Sequence, residues 1–385
     1  MKMRKMMYAL LVSMVAISML AGCGSKNSNS NSANSGQSAS NESTDNASTN
    51  NGATNNADTA ASGQIAKIGL GHITSIGSSK DMEGDTLATA QVDTTIVAAA
   101  FDKDGKVVKV EIDNAQSKVD YDKDLQVTTD LNADNKTKVE LGEDYGMKKA
   151  SSIGKEWYEQ AKALGDWMVG KSVDEIKAMK TKAKDDHHPA VPDEADLAST
   201  VTMNVSDFIA AVAEAYDTAI DVKGGAEKFG LGHNISLAKS KGLSTSDGQE
   251  VLPAAEVNTV MVATAFDKDG KVAGTIIDNA QTKVNFDKNG KVTSDKNAEI
   301  KTKVELDDEY GMKKASSIGK EWYEQARALG DWMVGKSVDE IKGMKTKQKD
   351  DAHPAVPDEA DLTSSVTISV QDYIAGLVES FDSAK

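Results

Sequence analysis

The sequence is short of cysteine, of basic side chains relative to acidic ones, and of aromatic rings. Its single cysteine, Cys23, excludes an intrachain disulfide and any zinc or iron–sulfur site built on several thiolates. With 60 Asp plus Glu against 44 Lys plus Arg the formal charge is −16. A nucleic-acid binder needs Lys and Arg to neutralise phosphates, so that class is excluded. Aromatics make up 5% of the 385 residues, yet 39% are apolar, which is enough for packed cores of about two ordinary domains. No nucleophile–His–acid constellation, phosphate-binding glycine loop or dinucleotide fingerprint occurs. The sequence therefore reads as a carrier or binding protein and not as an enzyme.

What is present begins at the N-terminus. Lys2, Arg4 and Lys5 precede an apolar run from Met6 to Leu20, which is short for a membrane span and fits a signal peptide over residues 1–22. The run ends in Leu20-Ala21-Gly22-Cys23, which resembles a bacterial lipobox and implies lipidation of Cys23. Residues 23–64 are dominated by Ser, Asn, Ala, Thr and Gly, too polar to offset their ordering entropy. They read as a flexible tether with a reach of roughly 35 Å. The expected location is the outer face of a cell membrane, Gram-positive-like, with the protein held there by lipid.

Everything downstream is duplicated with a period of 165 residues. GMKKASSIGKEWYEQA occurs at 146–161 and 311–326, ALGDWMVGKSVDEIK at 163–177 and 328–342, and HPAVPDEADL at 188–197 and 353–362. The openings Gly69-Leu70-Gly71-His72 and Gly230-Leu231-Gly232-His233 are offset by 161, so the second copy carries four extra residues. Each copy is the size of a domain, and the expected division is 65–222 and 223–385.

Within a copy, two β-prone runs around Asp102-Lys103-Asp104-Gly105 predict a hairpin, with a further turn at Asp122-Lys123-Asp124. Ser151 to Met168 has helical spacing, and Ser172-Val173-Asp174-Glu175 is a capping box. A short β-like run is expected from Ser199 to Val205, with Ser206 capping a last helix. Hairpins first and helices later predict an α+β fold with an antiparallel sheet in each of two tandem homologous domains.

The chemically informative segment precedes each last helix: Asp196-Leu197-Ala198-Ser199-Thr200-Val201-Thr202 and Asp361-Leu362-Thr363-Ser364-Ser365-Val366-Thr367. It resembles the signature of FMN-binding domains flavinylated by ApbE-type transferases: Asp, two variable residues, Ser or Thr, Gly, Ala, Thr. Here Thr200 or Ser365 replaces the Gly, and Val201 or Val366 the Ala. The resemblance implies two covalent FMN groups, esterified through their phosphates to Thr202 and Thr367. Asp196 and Asp361 match the acidic position, and Ser199 and Ser364 the hydroxyl position. It further implies an ApbE-type flavin transferase as partner. The membrane NADH dehydrogenase and quinone pool would be the electron source, and ferric iron or another extracellular acceptor the sink. The order of signal, tether and two domains looks like the flavin-bearing lipoproteins of extracellular electron transfer.

Other readings stay open at this level. Ser151 and Ser316 are rival acceptors or helix caps. Trp157 and Trp322, with Trp167, Trp332, Tyr145 and Tyr310, are the flat side chains available to a flavin, or simply core. Asn114, Gln116, Asn279 and Gln281 follow the hairpin and suit either the polar edge of the ring or a solvated turn. Asp185-Asp186-His187-His188 suggests a metal, but the second copy has Ala352 in place of His187, so a polar loop is the reading adopted. The alternative function is a non-redox surface lipoprotein with duplicated ligand- or partner-binding domains. A signal-peptide-derived pheromone is compatible with either.

Overall fold

A computed structural model describes residues 63–186 and 188–385; the signal segment, Cys23, most of the tether and His187 lie outside the described residues. No helix among the described residues is long and apolar enough to cross a membrane. The first repeat runs β1 (Ile65–Ser75), β2 (Thr89–Phe101), β3 (Val107–Asp120), α1 (Lys138–Leu141), α2 (Trp157–Met168), α3 (Val173–Lys177), β4 (Thr181–Lys182), β5 (Val191–Pro192) and α4 (Ser206–Asp217). A connecting strand β6 (Ile220–Ala226) leads to β7 (Lys228–Ser236), β8 (Ser244–Ser246), β9 (Gln249–Val251), β10 (Ala254–Phe266) and β11 (Val272–Asn285). The second repeat closes with α5 (Lys303–Leu306), α6 (Trp322–Met333), α7 (Val338–Lys342), β12 (Thr346–Lys347), β13 (Val356–Pro357) and α8 (Gln371–Ser383). The fold is mixed α and β with antiparallel sheets.

The hairpin turn is set by its own residues. Asp102 Oδ1 accepts the backbone N–H groups of Asp104 and Lys106, both at 2.9 Å, and Gly105 takes φ 76°. A side chain at Gly105 would also meet the Tyr216 hydroxyl. The turn after β3 uses Asp122 in the same way, accepting from Asp124 and Gln126, while Leu125 adopts φ 57° where the second copy has Gly290. Ser172 caps α3 in the expected reciprocal box with Glu175. The four extra residues of the second copy lie in the β8–β9 segment.

Three local expectations are corrected. The helix predicted from Ser151 starts at Trp157, because Glu156 is its N-cap and turns its carboxylate back onto the N–H groups of Met147 and Lys148 at 2.8 and 2.9 Å. Ser199–Val205 is not a strand. Residues 195–200 are turns, closed by Ala198 and Val201 donating to Glu194 and Leu197. Val201, Met203 and Val205 are buried alternately, as in a strand, but pair with no neighbouring strand. Ser206 is the first residue of α4 and does not cap it; its hydroxyl donates to Asn204 Oδ1.

Sheet order is β3-β2-β1-β6 in the first repeat and β11-β10-β7 in the second. One face of each sheet carries helices: Val97, Ala99 and Ile112 pack with Leu164, Met168, Phe208 and Val212 in the first repeat. The other faces meet each other. Ile68, Leu70, Ile96, Ala98 and Ala100 form one cluster with Phe229, Leu231, Met261, Ala263 and Ala265, and a second joins Val92, Val119 and Tyr121 to Val257, Val284 and Phe286. The layers are thus helices, sheet, sheet, helices, with alanine dominating where the sheets meet. Burial on both faces explains why the end of β2 reads as an unbroken apolar run (IVAAAF) and not as an alternation.

The sequence boundary at 222/223 falls inside β6, whose Ile220 and Asp221 pair with Ile68 and Lys67. The repeats therefore share a core, and a fragment ending at residue 227 would expose the whole Ile68–Ala100 face. We expect that fragment to dimerise or aggregate, whereas residues 65–385 stay monomeric; sedimentation velocity of the two distinguishes them. A soluble, monomeric half-chain would show that the sheet–sheet clusters are dispensable.

Candidate functional site

The segment leading into α4 is fixed by one buried amide. Gln160 on α2 is fully inaccessible, and its Oε1 accepts the N–H of Thr202 at 2.8 Å, with the Thr202 hydroxyl at 3.4 Å. Its Nε2 donates to Ser151 Oγ at 3.3 Å and to the Lys155 carbonyl. The second copy repeats this: Gln325 Oε1 accepts Thr367 N–H at 2.8 Å, and Nε2 reaches Ser316 Oγ at 3.3 Å and the Lys320 carbonyl at 3.2 Å. The two candidate acceptors of each repeat, threonine and serine, are thus held by the same glutamine. Ser151 is not a helix cap, since Glu156 holds that position.

Thr202 and Thr367 are half-buried, while Asp196, Ser199, Asp361 and Ser364 stand exposed on turns. Among the described residues no hydrogen bond or ion pair joins those four to either threonine. Helix α4 opens four residues after Thr202 with no side-chain cap, and α8 does likewise after Thr367, leaving first-turn N–H groups for an anion. Asp207 and Asp372 in those first turns act against this.

Beyond the threonines the helix-covered sheet face becomes polar. Trp157 packs in one cluster with Val201 and Met203 on either side of Thr202, as Trp322 does with Val366 and Ile368. Both indoles are core residues, 5% and 2% exposed, and Trp322 Nε1 donates to the Tyr373 hydroxyl. Lys138 Nζ lies 5.1 Å from the Tyr145 ring and 5.5 Å from the Trp157 ring; Lys303 stands 5.2 and 5.3 Å from Tyr310 and Trp322. Burial lowers the pKa of both lysines, that of Lys303 to about 8. Tyr310 donates to Gln281 Oε1 at 3.2 Å. A continuous run of sheet amide, tyrosine, lysine and tryptophan therefore leads to the acceptor segment in the second copy. Trp167 and Trp332 instead lie under Lys171 and Lys336, at 4.2 Å.

Asn114, Gln116, Asn279 and Gln281 are not in a solvated turn. They sit inside β3 and β11, two and four residues beyond Ile112 and Ile277 on the helix-covered face. Asn114 donates to Thr95 Oγ1 and Gln116 to Asp93 Oδ1. The Oδ1 atoms of Asn114 and Asn279 are buried without a hydrogen-bond partner in both copies. Asp185 and Asp350 clasp His188 and His353 at 2.7 Å on exposed turns, and neither pair gathers a third ligand among the described residues.

Sequence reasoning missed Gln160, Gln325, Lys138 and Lys303. A signal for the lysines existed: each is the first residue after a capping threonine in TKVE, at 137–140 and 302–305. Nothing local marked the glutamines as contacts of the threonines, which lie 42 residues away.

Three cavities of about 300 to 630 Å³ open elsewhere on the body, none lined by either threonine. Comparison with known proteins adds little. No family model matches the chain, and no solved structure does. A chlorophenol reductase of Desulfitobacterium hafniense is 36% identical over 94 residues, which is 22% of this chain and 29% of that protein. The chain spans under a third of that relative's length, and the similarity names no family for it.

Proposed function

We propose that this protein is a lipid-anchored electron carrier bearing two covalent FMN groups, one per repeat, at Thr202 and Thr367. The observation that carries the reading is the duplicated placement of a half-buried threonine, oriented by a buried glutamine, just ahead of an uncapped helix. The match to a chlorophenol reductase covers too little of either chain to assign a reaction.

The residues around each threonine fit a flavin. Bound there, the ring would supply one- and two-electron transfer. The first-turn N–H groups of α4 and α8 would face the phosphate. The orphaned Oδ1 atoms of Asn114 and Asn279 offer acceptors for the one N–H of the oxidised ring system. Lys138 and Lys303 place a positive charge on the same face, which favours a reduced, anionic ring. Tyr145 and Tyr310 offer flat surface beside them. Asp196, Asp361, Ser199 and Ser364, exposed and detached from the threonines, suit recognition by the transferase better than contact with the cofactor. Anchored at Cys23, the carrier would pass electrons from a membrane dehydrogenase or quinone pool to ferric iron or another external acceptor. A covalent ester keeps the cofactor where lost flavin would be diluted away.

The test is the intact mass of the chain after co-expression with an ApbE-type transferase. Two FMN increments are expected, each removed by Thr202→Ala or Thr367→Ala and both by the double variant. Increments that survive the double variant move the acceptors to Ser151 and Ser316. A colourless, unmodified chain beside an active transferase leaves a duplicated, non-redox surface lipoprotein.

A further inference from the structure

The seam between the sheets holds a second duplicated arrangement, in which each histidine of the two Gly-Leu-Gly-His openings meets a glutamate from each repeat. We infer that this seam carries two sites for a divalent first-row transition cation, one of His72, Glu214 and Glu305, the other of Glu140, His233 and Glu379. In each trio one ligand atom from every residue lies within 4.8 Å of the others. Glu214 and Glu379 come from the last helix of the histidine's own repeat, Glu305 and Glu140 from the short helix of the other. Each site is the other's counterpart under the duplication.

The carboxylates are already oriented as ligands. Glu214 Oε2 accepts the His72 backbone N–H at 3.0 Å, and Glu379 Oε2 that of His233 at 2.7 Å. Glu305 Oε2 and Glu140 Oε2 accept from Thr302 and Thr137, both at 2.8 Å. Glu214, Glu140 and Glu379 thus fix themselves through Oε2 and present Oε1, which in Glu379 faces His233 Nδ1, whereas Glu305 Oε2 meets both the Thr302 N–H and His72 Nε2. Hydrogen-bonded carboxylates and an imidazole held at its far nitrogen are the usual outer support of a metal site.

The histidines show that support. His233 is nine-tenths buried, and neither ring nitrogen makes a well-aligned hydrogen bond, although Nδ1 is 2.8 Å from Glu379 Oε1 and Nε2 3.3 Å from Asp113 Oδ2. Asp113 is the orienting partner, leaving Nδ1 toward the glutamates. In the first site Thr74 Oγ1 holds His72 Nδ1 at 3.2 Å and leaves Nε2 facing Glu305 at 2.7 Å. Asp278 and Asp113, both buried, add a third carboxylate near each imidazole. Each site thus sets two glutamates and a buried aspartate around one histidine, a mixed nitrogen and oxygen donor set of the kind divalent transition metals take. One imidazole with two carboxylates suits zinc or manganese better than calcium, which prefers oxygen alone. Access differs between the sites. A cavity of about 300 Å³, lined by Glu214 and Glu305 with Leu70 and Arg327, reaches the first, and an exposed Glu140 opens the second.

The test is zinc titration of the chelator-treated, flavin-free full chain by calorimetry, with metal content of the dialysed protein measured in parallel. Two equivalents per chain are expected. His72→Ala and His233→Ala should each remove one, and the double variant both. Glu305→Gln and Glu140→Gln keep the capping bond and the shape, so they should fold and weaken their own site by about tenfold or more. Wild type and the double histidine variant binding zinc equally would overturn the inference, as would no binding by wild type. No flavin takes part, so the result is separate from the fate of the carrier reading.

Discussion

Gly71→Ala should destabilise this protein by about 3 kcal/mol or more, although glycine to alanine inside a strand ordinarily raises stability. The reason is space. A Cβ built on Gly71 would lie 2.0 Å from the Ala211 carbonyl oxygen, and one on Gly69 would lie 1.6 Å from that of Ala215. The obstacle is helix backbone, so no rotamer change relieves it; α4 must lift off β1. The second copy has the same arrangement, with 1.9 Å between Gly230 and the Ser380 carbonyl and 1.9 Å between Gly232 and that of Gly376. At about 2–4 °C per kcal/mol for a chain of this class, Tm should fall by roughly 10 °C. Gly274→Ala is the control. It too lies inside a strand, but its nearest atoms would be 3.6 Å away, an ordinary contact, so its Tm should hold or rise slightly. Equal Tm values for the two variants would mean that helix and strand are not in contact as described. Lifting α4 would also displace Glu214, so zinc uptake by the first trio should fall with Tm.

These glycines mark where the sequence was readable and where it was not. The duplication, the Asp102–Gly105 hairpin and the Ser172 box depend on residues within a few positions of one another, and all are visible in the string. The two-glycine openings could be used to align the copies, but their role needs α4, some 140 residues later. The sheet–sheet seam was hidden for a related reason. A run such as Ile96-Val97-Ala98-Ala99-Ala100 states that both faces of β2 are buried and does not say that the second face belongs to the other repeat. Alternation misled at Val201, Met203 and Val205, where three inward side chains fit a strand but the backbone closes turns before them and pairs with no strand. Asn114 was misplaced because Asp113, Asn114 and Gln116 look like turn residues, although the hairpin strand continues to Asp120.

Gln160→Leu separates a structural from a functional reading of the candidate site. The substitution keeps the volume and removes the acceptor of the Thr202 N–H and the donor to Ser151 and Lys155. Leaving those groups unpaired should cost about 1–3 kcal/mol. On the proposed carrier function, flavin transfer to Thr202 should slow by about tenfold or more, because the hydroxyl would have to be presented at a defined angle to the transferase and small misplacements are expensive. Thr367, served by Gln325, should react at its normal rate in the same molecule, which provides an internal reference for enzyme and FAD. Gln325→Leu should give the mirror result. Time-resolved intact mass with peptide mapping reads both sites at once. If Gln160→Leu lowers Tm while both threonines are modified at wild-type rates, the glutamine is a packing residue and the threonine's orientation is set by Val201 and Met203. If both sites slow together, the two repeats communicate through the seam, and the clusters around His72 and His233 become the place to look for the coupling.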